Sequence, residues 1–185
     1  MNVFILNSGR CGSTTWIRAC THIDNFSAGH ETRSHLSGDA RLDYPDRHIE
    51  ADNRLSWLLG RLDRQYGDRA FYVHLQRDPE AVIRSFVRRR DFGILRAYHE
   101  GILLGSDPAL PAVELATDYL ETVQANIALF LRDKPHSLQV RLEHWQQDFP
   151  CFWQAIGASG DLDAALQEFC VQHNSSASNG LLSPP

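Results

Sequence analysis

Arg10, Ser13, Thr14 and Thr15 stand in a turn that also holds Cys11 and is punctuated by Gly9 and Gly12. The turn follows a short apolar run, Val3–Leu6, and precedes a helical pattern. Glycine reaches backbone conformations closed to other residues. A helix start offers unpaired N–H groups and the positive end of its dipole. Such a strand–turn–helix is an anion cradle, and phosphate is its usual guest. A second cation, Arg77, sits at the end of the apolar run Phe71–Gln76, with the Ser85 hydroxyl in the helix that follows. A third cluster, His30-Glu31-Thr32-Arg33, mixes two proton acceptors with a cation. Glu50 is a further carboxylate, in or just after a short strand. An arginine inside such a turn and a second at a strand end suit bidentate grip on an anion such as phosphate or sulfate.

These residues need elements to bring them together. Val3–Leu6 reads as a buried strand and Ser13 to about Asp24 as a helix, with Trp16, Ile17, Cys20 and Ile23 at helical spacing. A short strand from Phe26 ends at His30–Arg33, residues 34–47 are irregular, and His48–Ala51 is a strand. Asp52 N-caps a helix over 53–66, which Gly67 stops. Phe71–Gln76 is a strand, and Asp78-Pro79 opens a helix to about Arg90, continuing bent through Leu104. After a loop over 105–112, a long helix runs from Val113 to about Arg132, then a strand Ser137–Leu142 and helices near 144–157 and 161–172. Alternating strands and helices predict an α/β fold with a central parallel sheet flanked by helices. In such sheets ligands bind beyond the carboxyl ends of the strands, where the Arg10 loop, 30–33, Glu50 and Arg77 all fall. Residues 1–173 read as one domain and Asn174–Pro185 as a flexible tail.

Composition narrows the function. A formal charge of −5 argues against general nucleic-acid binding, and no run approaches the roughly 18 apolar residues of a membrane span. Of 18 Lys and Arg residues only Lys134 is a lysine, and arginine favours bidentate grip on phosphate and sulfate. The four cysteines lack a C-x-x-C, and the histidines lack H-x-x-x-H spacing, so neither metal site nor disulfide framework is expected. A strand beginning at Val3 fits no signal peptide, and a cytoplasmic location is expected. Cys11 has two readings: a thiol activated beside Arg10, or a small side chain filling a tight turn. Arg88-Arg89-Arg90 reads as a solvated charge run on a helix end.

The loop resembles a P-loop without its lysine, since Arg10 sits inside the turn and no lysine follows Gly12. Arg10-Cys-Gly-Ser-Thr-Thr-Trp16 resembles the 5′-phosphosulfate loop of sulfotransferases that use 3′-phosphoadenosine-5′-phosphosulfate (PAPS), and Arg77 with Ser85 resembles their 3′-phosphate motif. His30-Glu-Thr-Arg33 is similar to the Glu-Glu-Thr-Arg segment of tyrosylprotein sulfotransferases. The resemblance spans about residues 2–90. It implies a P-loop-NTPase-like fold, PAPS as donor without a required metal, and an unidentified hydroxyl or amine acceptor. Arg10, Ser13, Thr14 and the loop amides of Cys11, Gly12 and Thr15 would hold the phosphosulfate, and Arg77 and Ser85 the 3′-phosphate. Glu31 would be the base, and Arg33 would steady the sulfuryl oxygens or the acceptor.

The chain departs from the cytosolic members in two ways. Thr15 separates the hydroxyl pair from Trp16, which leaves Trp16 a place in the core, and the late Arg-Lys-Gly motif is absent. His30 and Glu50 remain rival bases to Glu31. A P-loop kinase or phosphotransferase, or a nucleotide-binding module without activity, are the alternatives to a sulfotransferase.

Overall fold

The computed structural model describes residues 1–105 and 109–171. Five strands form one all-parallel sheet: β1 (Val3–Leu6), β2 (Ser27–His30), β3 (His48–Ala51), β4 (Phe71–Gln76) and β5 (Ser137–Arg141), in the order β2-β3-β1-β4-β5. β1 is central because all four of its residues are apolar and fully buried, which only an interior parallel strand allows. The chain leaves β1 through α1 (Ser13–Cys20) toward β2, and later crosses from β3 through α2 (Leu59–Tyr66) to β4 on the other side. Right-handed crossovers running in opposite directions place α1 and α2 on opposite faces. The order therefore reverses beside β1, where parallel sheets open a crevice. Around this frame stand α3 (Pro79–Val87), α4 (Gly93–Ala97), α5 (Ala112–Leu131), α6 (Trp145–Ala155) and α7 (Leu162–Gln167).

The helices are shorter than periodicity predicts, for local reasons. The helix expected over 53–66 is a 3₁₀ turn, Asn53–Trp57, followed by α2. Asp52 accepts the Arg54 amide at 2.8 Å and Ser56 donates its hydroxyl to the Asn7 carbonyl at 3.0 Å, so the turn is bent onto the β1 loop. α1 stops at Cys20, and Ile23 instead bridges to Gly160. α3 ends at Val87; Arg88–Asp91 form a turn, and α4 restarts at Gly93, whose φ of 66° breaks the helix. A π-helical turn, Tyr98–Ile102, follows. The expected helix over 161–172 is α7 plus a 3₁₀ turn to Cys170. The boundary at 173 and the tail 174–185 lie outside the described residues.

Trp16 is in the core, fully buried, with its ring edge-on to Phe149, Phe152 and Phe169 at 5.2–5.7 Å. α1 is thereby fixed to α6 and the turn after α7. Lys134 lies just before β5, at the amino ends of the strands, paired with Asp63 and Asp68. It is on the edge of the sheet opposite the Arg10 loop.

His74, in the middle of β4, is 2% exposed and its Nδ1 has no partner among the described residues. Burial pushes its pKa down to about 4. The unfolded chain takes up a proton near pH 6.5 that the folded chain refuses, so stability falls as the pH drops from 6.5 toward 4. Urea unfolding is expected to show a loss from this residue approaching about 3 kcal/mol at pH 4. The His74→Leu variant should lose correspondingly less across that window.

Candidate functional site

The β1 loop is held in place before any ligand arrives. The Asn7 side chain accepts the Gly9 amide at 2.8 Å and donates to the Ile5 carbonyl at 3.1 Å. Buried Tyr119 donates its hydroxyl to the Ser8 carbonyl at 2.6 Å. Gly9, Arg10 and Gly12 all have positive φ, at 87°, 61° and 84°. Glycine carries this without strain; Arg10 does not, and such outliers gather at ligand sites. A Cβ on Gly12 would lie 2.7 Å from the Leu142 methyl groups, so a side chain there would displace Leu142 as well as strain the left-handed backbone. Cys11 faces inward, 1% exposed, with its thiol 3.2 Å from the Gly9 carbonyl. Burial pushes the Cys11 thiol up, so it fills the turn and offers the cleft only its backbone.

Above the loop lies a cleft of about 310 Å³. Arg10, Gly12, Ser13, Thr14 and Thr15 line one wall, and Arg77 and Arg89 complete its charged side. Ser85, on α3, meets the same group: Arg10 Nε donates to Ser85 Oγ at 2.8 Å. Arg77 donates to the Arg10 carbonyl at 3.2 Å. No carboxylate among the described residues pairs with Arg10, Arg77 or Arg89. Burial, then the like charges of Arg89, Arg77 and Arg88, push the Arg10 pKa down from its usual value. Guanidinium groups remain protonated regardless, so the repulsion stays in the folded protein. Three unpaired guanidiniums around one cavity fit a ligand with several negative charges. Arg89 corrects the reading of 88–90 as a solvated run. It stands four residues after Ser85, one helical turn on, and that spacing was the missed signal.

The other wall carries the proton acceptors. Glu31 follows β2 in a left-handed conformation, φ 55°, and its amide donates to the Ala51 carbonyl at 3.0 Å. Its carboxylate lies 3.0 Å from Arg54 Nη1. His30 Nε2 is 2.9 Å from Ser13 Oγ, which ties β2 to the first turn of α1. Arg33 is not brought to the cleft. It donates to the Ala40 carbonyl at 2.9 Å and lies 5.5 Å over the Tyr44 ring. Arg54, unremarked in sequence, is the cation beside Glu31 instead.

Glu50 is fully buried and off the cleft. It accepts the Thr32 amide at 2.7 Å, the Thr32 hydroxyl at 2.8 Å, and lies 2.9 Å from His48 Nε2. Its partners consume the carboxylate, so it braces the turn that displays Glu31. Beside it, Asp52 is buried against Arg41 and anchors Arg54 through the Arg54 amide. Among the described residues no group of His, Cys, Asp or Glu has the arrangement of a metal site.

Two carboxylates near one another thus have opposite roles, and stability separates them. Glu50→Ala takes the carboxylate from the buried His48 Nε2 and from the Thr32 amide and hydroxyl, and is expected to cost about 1–3 kcal/mol in chemical unfolding. Glu31→Gln, at a partly exposed ion pair, should change stability by less than about 1 kcal/mol.

No protein-family model matches the sequence, and no curated protein matches it. Solved structures match in shape. The sulfotransferase domain from the curacin biosynthetic pathway aligns with a TM-score of 0.65 at 17% identity, over 93% of this chain and 78% of that one. Mouse sulfotransferase SULT7A1, a crystal structure complexed with PAP, aligns with a TM-score of 0.54 at 13% identity, over 91% of this chain and 63% of that one. At these identities the likeness concerns architecture: the chain has the α/β fold of these sulfotransferases, a five-stranded parallel sheet flanked by helices with a P-loop-like turn after its central strand.

Proposed function

We propose that the protein transfers a sulfuryl group from PAPS to a hydroxyl or amine acceptor by in-line displacement. The observation that carries this reading is the trio Arg10, Arg77 and Arg89, three guanidiniums around one cleft with no carboxylate partner among the described residues. PAPS bears roughly four negative charges at neutral pH, divided between a 5′-phosphosulfate and a 3′-phosphate. The left-handed loop and the first turn of α1 suit the 5′ end, where backbone amides and the Ser13 and Thr14 hydroxyls complement Arg10. Arg77, Ser85 and Arg89 suit the 3′-phosphate. Arg10, bonded to Ser85, stands between the two ends.

Sulfuryl transfer needs positioning and stabilisation of charge on the leaving and equatorial oxygens. Arginine forks and loop amides supply both. Glu31 is our candidate base, oriented by Arg54, and Arg54 takes the steadying role that the resemblance assigned to Arg33. A P-loop phosphotransferase would call for a lysine at the transferred phosphate, and Lys134 is tied to Asp63 and Asp68 at the far edge of the sheet. Location in the cytoplasm is part of this proposal, from the unpaired cysteine set and from a nucleotide donor.

Calorimetry with 3′-phosphoadenosine-5′-phosphate (PAP) is the first test. PAP is expected to bind more tightly than 5′-AMP, and Arg10→Ala or Arg89→Ala to weaken PAP binding by about 10–100-fold. Absence of PAP binding by folded protein would overturn the reading. Glu31→Gln should lower kcat by about 10²–10⁴-fold while leaving PAP affinity near wild type. An unchanged kcat would pass the role of base to His30.

A further inference from the structure

We propose that His30 is a positioning residue for the donor: its ring Nε2–H donates to Ser13 Oγ and so directs the Ser13 hydroxyl hydrogen at the 5′-phosphosulfate. The inference rests on the sulfuryl-transfer reading and concerns how one contact to the donor is set.

The strand aims His30 for this role. Side chains alternate across a strand. Gly29, Glu50 and Phe4 are in register across three strands, and Phe4 packs on Tyr66 of α2 at 4.7 Å. That face is closed at Gly29, where a Cβ would meet Thr32 Cγ2 at 2.3 Å. His30 turns to the other face and meets Ser13, the first residue of α1, at 2.9 Å. Its backbone is held by pairing with Ala51 and by the Glu31 amide, which donates to the Ala51 carbonyl at 3.0 Å. Ser13 and His30 both line the cleft. No carboxylate among the described residues pairs with His30, in contrast to His22 and His48.

The direction of the Ser13–His30 bond follows from the hydrogens available. A serine hydroxyl has one hydrogen to give, and a neutral imidazole has one nitrogen that donates and one that accepts. In the empty cleft either partner can donate. A phosphosulfate oxygen only accepts, so a bond to it takes the Ser13 hydrogen. The hydrogen between ring and serine must then come from His30 Nε2. A ring without hydrogen on Nε2 would keep the Ser13 hydrogen and turn a hydroxyl lone pair on the anion. Arg10 attracts the anion but does not orient a hydroxyl that rotates freely.

The test is calorimetry with PAP at pH 8, where the 5′-phosphate is an acceptor only. Ser13→Ala and His30→Ala should each weaken PAP binding by about 5–10-fold, and the double variant by no more than either single one. His30→Gln, whose amide nitrogen donates from near the place of Nε2, should keep PAP affinity within about 2-fold of wild type. Nitrogen-15 NMR of the wild-type PAP complex should show hydrogen on His30 Nε2. PAP affinity indifferent to His30→Ala, additive losses in the double variant, no rescue by glutamine, or a bare Nε2 in the complex would each overturn the inference. So would a collapse of kcat in His30→Gln at unchanged PAP affinity, which would make His30 the base. Failure of the wild type to bind PAP would instead remove the donor reading beneath it.

Discussion

Three guanidinium groups held around one cleft repel one another, and the fold must restrain them. Arg10, Arg77 and Arg89 come from three places: the loop after β1, the end of β4 and the turn after α3. None has a carboxylate partner among the described residues. Surface arginines would swing apart into water. Here Arg10 is fixed by a left-handed backbone and by Ser85, and Arg77 by the Arg10 carbonyl. The loop beneath is tied by Asn7 and Tyr119. The repulsion is tolerated because a fully buried parallel strand and the helices packed on it give the loop no room to relax. An anion that binds there gains from charges already in place, which is the economy of a preorganised site.

The opposite wall depends on buried charge of the other sign. Glu50 and Asp52 are both fully buried at the end of β3, and each is matched: Glu50 by Thr32 and His48, Asp52 by Arg41. Buried pairs of this kind contribute little net stability, but removing one partner is costly. Their effect is geometric. Glu50 fixes the turn that carries Glu31, and Asp52 fixes the turn that carries Arg54. Glu31 and Arg54 therefore meet at the cleft as a pair, set by two anchors that a ligand never touches.

β1 and β4 were legible from sequence because interior parallel strands are short apolar runs bounded by polar residues, while β3, His-Ile-Glu-Ala, carries two polar residues buried in the interior. The position of Arg10 followed from its glycines and that of Arg77 from its strand end. Helix lengths were less legible. Periodicity continues through residues 53–66 and past Val87, whereas side-chain bonds from Asp52 and Ser56 and the left-handed Gly93 interrupt the helices. Those interruptions depend on partners distant in sequence.

The sequence by itself determined that a glycine-punctuated turn carrying Arg10 lies between the central strand and a helix, that Arg77 stands at a strand end on the same edge of the sheet, and that no lysine lies in the turn. Local chemistry suffices for that: glycine positions, strand ends and residue types. Only the tertiary structure decided which neighbours face the cleft. It turned Arg33 onto Tyr44, brought Arg54 to Glu31, buried Glu50 and Cys11, and added Arg89 to the cations. Side-chain direction at a strand end is set by what packs against it, and those contacts join residues far apart in the chain.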